Sequence, residues 1–210
     1  MSSTRPALAV PLWFGAALMP LVAAQIVRLY QTSAFAWLMS DYSGRLAALC
    51  VLWIIPAART VAFAPQRLKV GVVEMVVWVI GITALYLIID RPLSGFIDNL
   101  LPGTRMGRYP VLHGWLYAID ITFGLALVAY QEELIFRRCG RLAFCNWLGD
   151  GWAMIIATSF LFASYHWWTG VGNMATAMLF GIGAMLAYRR IGALWPVVAA
   201  HYLSDLASFA

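Results

Sequence analysis

The chain has 210 residues, 63% of them hydrophobic and 11% charged, with a net charge of +5 and three cysteines. So few polar side chains cannot cover the surface of a soluble domain of this length, so the composition excludes a soluble enzyme or binding module and specifies an integral membrane protein. In such a protein Lys and Arg report loop orientation and lipid headgroups before nucleic acid, and no nucleic-acid partner is expected.

A spanning helix needs about 20 mostly apolar residues, which allows roughly seven to eight spans and leaves no room for a soluble domain. The predicted fold class is all-α: a polytopic transmembrane helical bundle, one membrane domain over residues 1–210. In chain order the predicted spans cover residues 7–27, 42–64, 70–89, 109–131, 151–168, 172–188 and 191–208. The first, behind Arg5, reads as an uncleaved span and not a signal peptide. The second holds only thirteen residues between Arg45 and Arg59, so its arginines are expected to snorkel to the headgroups, or the helix to be short and tilted. Thirty-eight uncharged residues between Asp150 and Arg189, broken by Gly170, Gly172 and Asn173, predict a tight hairpin of two spans. Cys50, Cys139 and Cys145 lack CxxC spacing, which points to apolar packing and away from a disulfide framework or thiolate metal site.

Arg5, Arg59, Arg67, Lys69, Arg137, Arg138, Arg141, Arg189 and Arg190 fall on the N-terminal side of this topology, against Arg28, Arg45, Arg91, Arg105 and Arg108 on the other. The excess predicts a multi-pass protein with a cytoplasmic N-terminus.

Ionisable groups inside a bilayer cost about 2.5 to 3.5 kcal/mol each, so those within the spans need a reason. They are Glu74, His113, Asp120, Glu132, Glu133, His166, His201 and Asp205. Glu74, His113 and Asp120 read as interface groups or interhelical hydrogen bonds. The other five fall in three short motifs. In EELIFR, Glu133 and Arg137 are four apart with the acid first, the better order for an ion pair, while Glu132 is rotated about 100° away and left free. In FASYH, Phe162 and His166 share a helix face. In HYLSD, His201 and Asp205 do the same. If the three helices converge, Glu132 can take a proton from water while His166 positions that water, and His201 beside Asp205 can stabilise an oxyanion. Each pair alone has a bland reading, a helix staple or an interhelical hydrogen bond.

In order on consecutive apolar segments, EExxxR, FxxxH and HxxxD resemble the CAAX-type intramembrane endopeptidases, the CPBP group of prenyl-protein endopeptidases and bacteriocin-processing or immunity proteins. The resemblance covers about residues 109–210. It implies a glutamic-type peptidase with no metal, no cofactor and no acyl intermediate, in which Glu132 and His166 activate water, His201 and Asp205 form the oxyanion site, and Glu133, Arg137 and Phe162 support them. Prenyl-protein endopeptidases carry Asn where this chain has Asp205, and an ionised carboxylate cannot donate to an oxyanion. Either Asp205 is protonated or it only orients His201.

Other readings are a zinc peptidase, weakened by the lack of HExxH; a non-catalytic membrane peptide-binding, immunity or scaffold protein; and a proton-coupled transporter, weakened by the absence of an inverted repeat. The expected partner is an extended segment of a membrane-associated protein or peptide, because a helix hides its scissile carbonyls. Its lipidation is implied by the family alone. One difficulty stands: the span limits put Glu132 and His166 at opposite ends of neighbouring helices. For them to meet, the helix bearing Glu132 is expected to continue through Arg137 to about Cys145.

Overall fold

The computed structural model describes residues 6–209, and every regular element among them is helical. Arg5, counted above in the charge balance, lies outside the described residues. Helix α1 (Pro6–Arg28) and helix α2 (Ala34–Ile54) form an antiparallel hairpin. Ser33 caps α2 by accepting from the Ala36 N–H at 3.2 Å. The hairpin closes tightly because Gly44 faces Ala24, where a Cβ would collide with the alanine methyl. That approach sets Arg28 of α1 beside Asp41 and Arg45 of α2.

The expected second span is corrected in its limits. It starts at Ala34 and turns by 107° before the short helix α3 (Pro56–Ala62), because the residue ahead of Pro56 is driven into extended conformation and cannot continue α2. Arg59 therefore sits on a separate element, exposed and stacked on Trp53.

Helix α4 (Val72–Leu100) is the longest element, about 43 Å at 1.5 Å per residue. It leaves most of its apolar side chains exposed, including Val73, Val77, Ile80 and Ile88, as a lipid-facing helix does. Residues 109–113, predicted as helix, are irregular. From residue 114 to 148 the chain is helical throughout: α5 (Gly114–Ile119), a π-helical stretch (Asp120–Gly124), α6 (Leu125–Glu132), a second π-helical stretch (Glu133–Cys139) and α7 (Gly140–Leu148). Then come α8 (Trp152–Tyr165), a 3-10 turn (Trp167–Thr169), α9 (Val171–Ile191) and α10 (Trp195–Phe209).

By length and apolar composition three helical stretches qualify to cross a membrane, Val10–Arg28, Val72–Leu100 and Val171–Ile191, and a fourth if the bent α2–α3 pair is one span. The other predicted spans also fold as helices. However, α8 and α10 are short, and π turns divide the 114–148 segment.

The apolar core runs along the second π stretch. Leu134, Ile135, Phe136 and Cys139 pack with Met154 and Phe162 of α8, Phe180 and Met185 of α9, and Ala17 and Leu21 of α1. Of the cysteines only Cys139 is buried, whereas Cys50 is exposed. Helices α4 and α9 are antiparallel. Arg190 pairs with Glu74 at one end, and the Gly172 N–H donates to Asp98 at the other, at 3.2 Å. These contacts define two ends of the bundle.

Candidate active site

A single helical turn presents two carboxylates in different directions. Glu132 ends α6 and Glu133 opens the π stretch, where i to i+5 hydrogen bonding adds a residue to the turn; such local bulges recur at functional sites. Glu133 faces the core with Arg137, whose Nε lies 2.9 Å from Glu133 Oε2, and both side chains are fully buried. The predicted ion pair therefore forms. Arg137 also lies over the Phe162 ring, 4.3 Å from its centroid.

Glu132 is not left free, as its rotation from Glu133 had suggested. Its Oε1 accepts from Arg45 Nη1 at 2.8 Å. Arg45, expected at the headgroups, is only 4% exposed. Its Nε donates to Asp41 Oδ2 at 2.8 Å and its Nη1 also reaches Gln131 Oε1 at 2.8 Å. The second oxygen of Asp41 pairs with Arg28, whose guanidinium lies 4.5 Å from the Trp37 centroid and 4.8 Å from that of Trp168. A buried cation is stable only when paired and hydrogen-bonded, and here two arginines meet two carboxylates. The other oxygen of Glu132, Oε2, is buried without a hydrogen-bond partner among the protein groups.

His166 follows directly on the end of α8. The turn there is gripped from α1, since Gln25 donates to the Tyr165 carbonyl at 2.6 Å and accepts from Trp167 Nε1 at 2.9 Å. The Nδ1 of His166 is 2.9 Å from the carbonyl oxygen of Phe162. A carbonyl only accepts, so Nδ1 carries the hydrogen, and in the neutral ring Nε2 is an acceptor. The Phe162 ring stands edge-on beside the imidazole, 4.7 Å between centroids, as the FxxxH spacing predicts.

His201, on α10, places Nδ1 2.8 Å from Glu133 Oε1. Its Nε2 lies 3.9 Å from Glu132 Oε2 and 3.5 Å from Asp205 Oδ2. The predicted neighbour Asp205 is thus close, but the hydrogen-bonded partner of the ring is Glu133. Phe180 flanks the ring at 4.9 Å.

Glu132, Phe162, His166, His201 and Asp205 all line one cavity of about 390 Å³, together with Arg45. The difficulty of depth is resolved as anticipated. The helix bearing Glu132 continues to Leu148, which leaves Glu132 near the middle of the 114–148 segment. From this floor the cavity rises past Phe180 to Tyr109, Trp168 and Phe209 and reaches the exposed Arg105 and Arg108. The segment 101–113 forms that rim. It is tied down by the Met106 and Gly107 N–H groups, which donate to the Trp168 carbonyl at 3.0 and 2.9 Å.

Of the remaining candidates, Asp120 is buried and accepts from the hydroxyls of Tyr42 and Tyr109, the interhelical hydrogen bond expected of it. His113 is exposed ahead of α5, and Glu74 pairs with Arg190 at the far end. Among the described residues no three His, Cys, Asp or Glu side chains are grouped to hold a metal ion. Arg28, Asp41, Arg45 and Gln131 were missed by the motif reading. The one available signal was their charge within otherwise apolar stretches.

Residues 114–207 match the family model described as type II CAAX prenyl endopeptidase, Rce1-like. The match takes in all three motifs and somewhat less than half of the chain, and it agrees with the resemblance drawn from EExxxR, FxxxH and HxxxD. No curated protein and no solved structure matches the chain.

Proposed function

With an Rce1-like, type II CAAX prenyl endopeptidase match over residues 114–207 as the premise, we propose that this membrane protein hydrolyses a peptide bond by water that Glu132 and His166 activate. The observation that carries the reading is the division of labour within Glu132. Arg45 holds Oε1, while Oε2 has no protein hydrogen-bond partner, and Glu132 lines the same cavity as His166 and His201.

In this mechanism the bare Nε2 of His166 accepts a hydrogen bond from water and aims its lone pair, and Glu132 Oε2 takes the water proton as oxygen attacks the scissile carbonyl carbon. The carbonyl becomes an oxyanion, which the Nε2–H of His201, as the imidazolium whose Nδ1–H is held by Glu133, and the O–H of Asp205, as the neutral acid, stabilise at the cavity wall. Collapse breaks the C–N bond, and the proton on Glu132 passes to the leaving amine. The protein thereby ends with the protonation it began with.

The substrate is an extended segment of a membrane-associated protein or peptide, since a cavity of this size admits one strand of chain and not a helix of about 10 Å diameter. The aromatic walls suit an apolar or lipidated segment, and the family description itself speaks of prenyl substrates.

Charge supports an orientation. Arg28, Arg45 and Arg137 are buried and paired, so they do not report on topology. Arg59, Arg67, Lys69, Arg138, Arg141, Arg189 and Arg190 then stand at one end of the bundle, against Arg91, Arg105 and Arg108 toward the other. By the positive-inside rule the first end, with the start of α1, is cytoplasmic, and the cavity mouth faces the opposite compartment.

The decisive test is cleavage of an internally quenched, prenylated peptide by purified protein in lipid nanodiscs. Glu132→Gln abolishes turnover while insertion and melting temperature hold, and full chelation leaves the wild type active. Substantial turnover in Glu132→Gln refutes the glutamate mechanism, and loss on chelation with recovery on zinc refutes the metal-free one.

A further inference from the structure

The N-terminal hairpin lies outside residues 114–207, yet it supplies Arg45, the arginine that pairs with Glu132. We infer that Arg45 is a positioning residue for the base, and that the buried chain Trp37/Trp168–Arg28–Asp41–Arg45–Glu132 is the device that holds it. The inference rests on the proposed role of Glu132.

The geometry distinguishes this chain from a simple ion pair. Arg45 uses separate nitrogens for its two carboxylates: Nε for Asp41 at 2.8 Å, and Nη1 for Glu132 at 2.8 Å and Gln131 at 2.8 Å. Its plane is thereby fixed, because a guanidinium fork held at two points cannot rotate. Asp41 is itself held by Arg28, and Arg28 lies against two indole rings, themselves 5.9 Å apart between centroids, contributed by α2 and by the turn after His166. The carboxylate of Glu132 thus has one oxygen locked by a rigid donor and a second, Oε2, without a protein donor, which is the oxygen the proposed mechanism uses. Sharing also matters. Because Asp41 takes part of the charge of Arg45, Glu132 is not its sole counterion and keeps lone-pair density for proton abstraction. The same Trp168 sits two residues after His166, so the device references the base and the water-positioning histidine to one frame.

A structural role and a positioning role predict different results once charge is balanced. Arg45→Gln leaves Asp41 and Glu132 sharing Arg28 alone, one buried negative charge in excess, so this variant is expected to lose both stability and turnover. Asp41→Asn with Arg45→Gln removes one charge of each sign and restores the balance. Under the inference the double variant recovers a melting temperature near wild type, yet its kcat stays about 10²-fold low with KM within a few-fold, since the base is misplaced while the cavity is intact. Recovery of kcat together with melting temperature overturns the inference and makes Arg45 structural. Should the double variant melt well below wild type, Arg45→Lys decides. It keeps the charge but has a single donor point, so a kcat loss of about tenfold at wild-type melting temperature supports the inference, and unchanged kcat overturns it. Glu132→Gln, assayed alongside on the same peptide, separates the two failures. An active Glu132→Gln removes the base itself, whereas an inactive Glu132→Gln beside a fully active double variant removes only the role of Arg45.

Discussion

Glu133 Oε1 and His201 Nδ1 lie 2.8 Å apart although 68 residues separate them in sequence. The contact turns the second glutamate of EExxxR from a helix staple into the part that orients the histidine of HxxxD. Glu133 thus has two partners, Arg137 on its own helical turn and His201 on α10.

Arg137 is accordingly expected to matter for fold and turnover together. Arg137→Ala leaves a fully buried carboxylate without its cation, a loss of about 3 to 5 kcal/mol, and frees His201 from its fixed orientation. Adding Glu133→Gln to Arg137→Ala restores much of the stability by removing the orphaned charge, but not the turnover. Thermal denaturation and peptide cleavage on both variants make the check. A wild-type melting temperature for Arg137→Ala contradicts it.

Glu133 occupies Nδ1 of His201 and Asp205 lies 3.5 Å from Nε2, so under the proposed mechanism Asp205, as the neutral acid, donates to the oxyanion. Asp205→Asn keeps a donor of the same shape, so it is expected to retain activity within about tenfold and to hold it toward higher pH, where an amide still donates. Asp205→Ala loses about 10² to 10³ in rate, the usual cost of one oxyanion donor. The pH profile of peptide cleavage for the three proteins decides. Wild-type turnover in Asp205→Ala would reassign HxxxD to helix packing.

The orientation is tested at the end of α10, which lies at the cavity mouth: Phe209 packs on Tyr109, 4.7 Å between ring centroids. In a bacterial host, alkaline phosphatase fused after residue 210 is expected to be active and a green fluorescent fusion dark. The reverse pattern would turn the mouth to the cytoplasm and have the substrate delivered from there.

The far end of the bundle gives a pH signature. Arg141 donates to Asp150 through Nε at 3.1 Å and Nη2 at 2.6 Å and holds its carboxyl below the usual carboxylate range, while Arg189 bonds the Asp150 carbonyl at 2.8 Å. A depressed carboxylate stabilises the fold above its unfolded value, near pH 4, and the contribution disappears as pH falls through the folded value. Because Asp150 is largely exposed, the contribution is at most about 1 kcal/mol. Melting curves of wild type and Asp150→Asn are expected to differ slightly at neutral pH and to merge in acid and at high salt. A gap that stays constant into acid contradicts this.

Features that depend on local periodicity were legible in the residues alone. The apolar composition required a helical membrane protein, and the spacing of four set Glu133 against Arg137, Phe162 against His166 and His201 beside Asp205, because residues four apart lie on one helix face whatever surrounds them. Which faces meet follows from packing between helices distant in the chain. Arg45 and Glu132 are 87 residues apart and no period links them; their contact depends on the close crossing at Gly44 and on the packing of α2 against α6. From the sequence, an arginine in an apolar run has two physical outcomes, reaching the headgroups or finding a buried carboxylate. Which occurs depends on whether a partner lies within about 4 Å after packing.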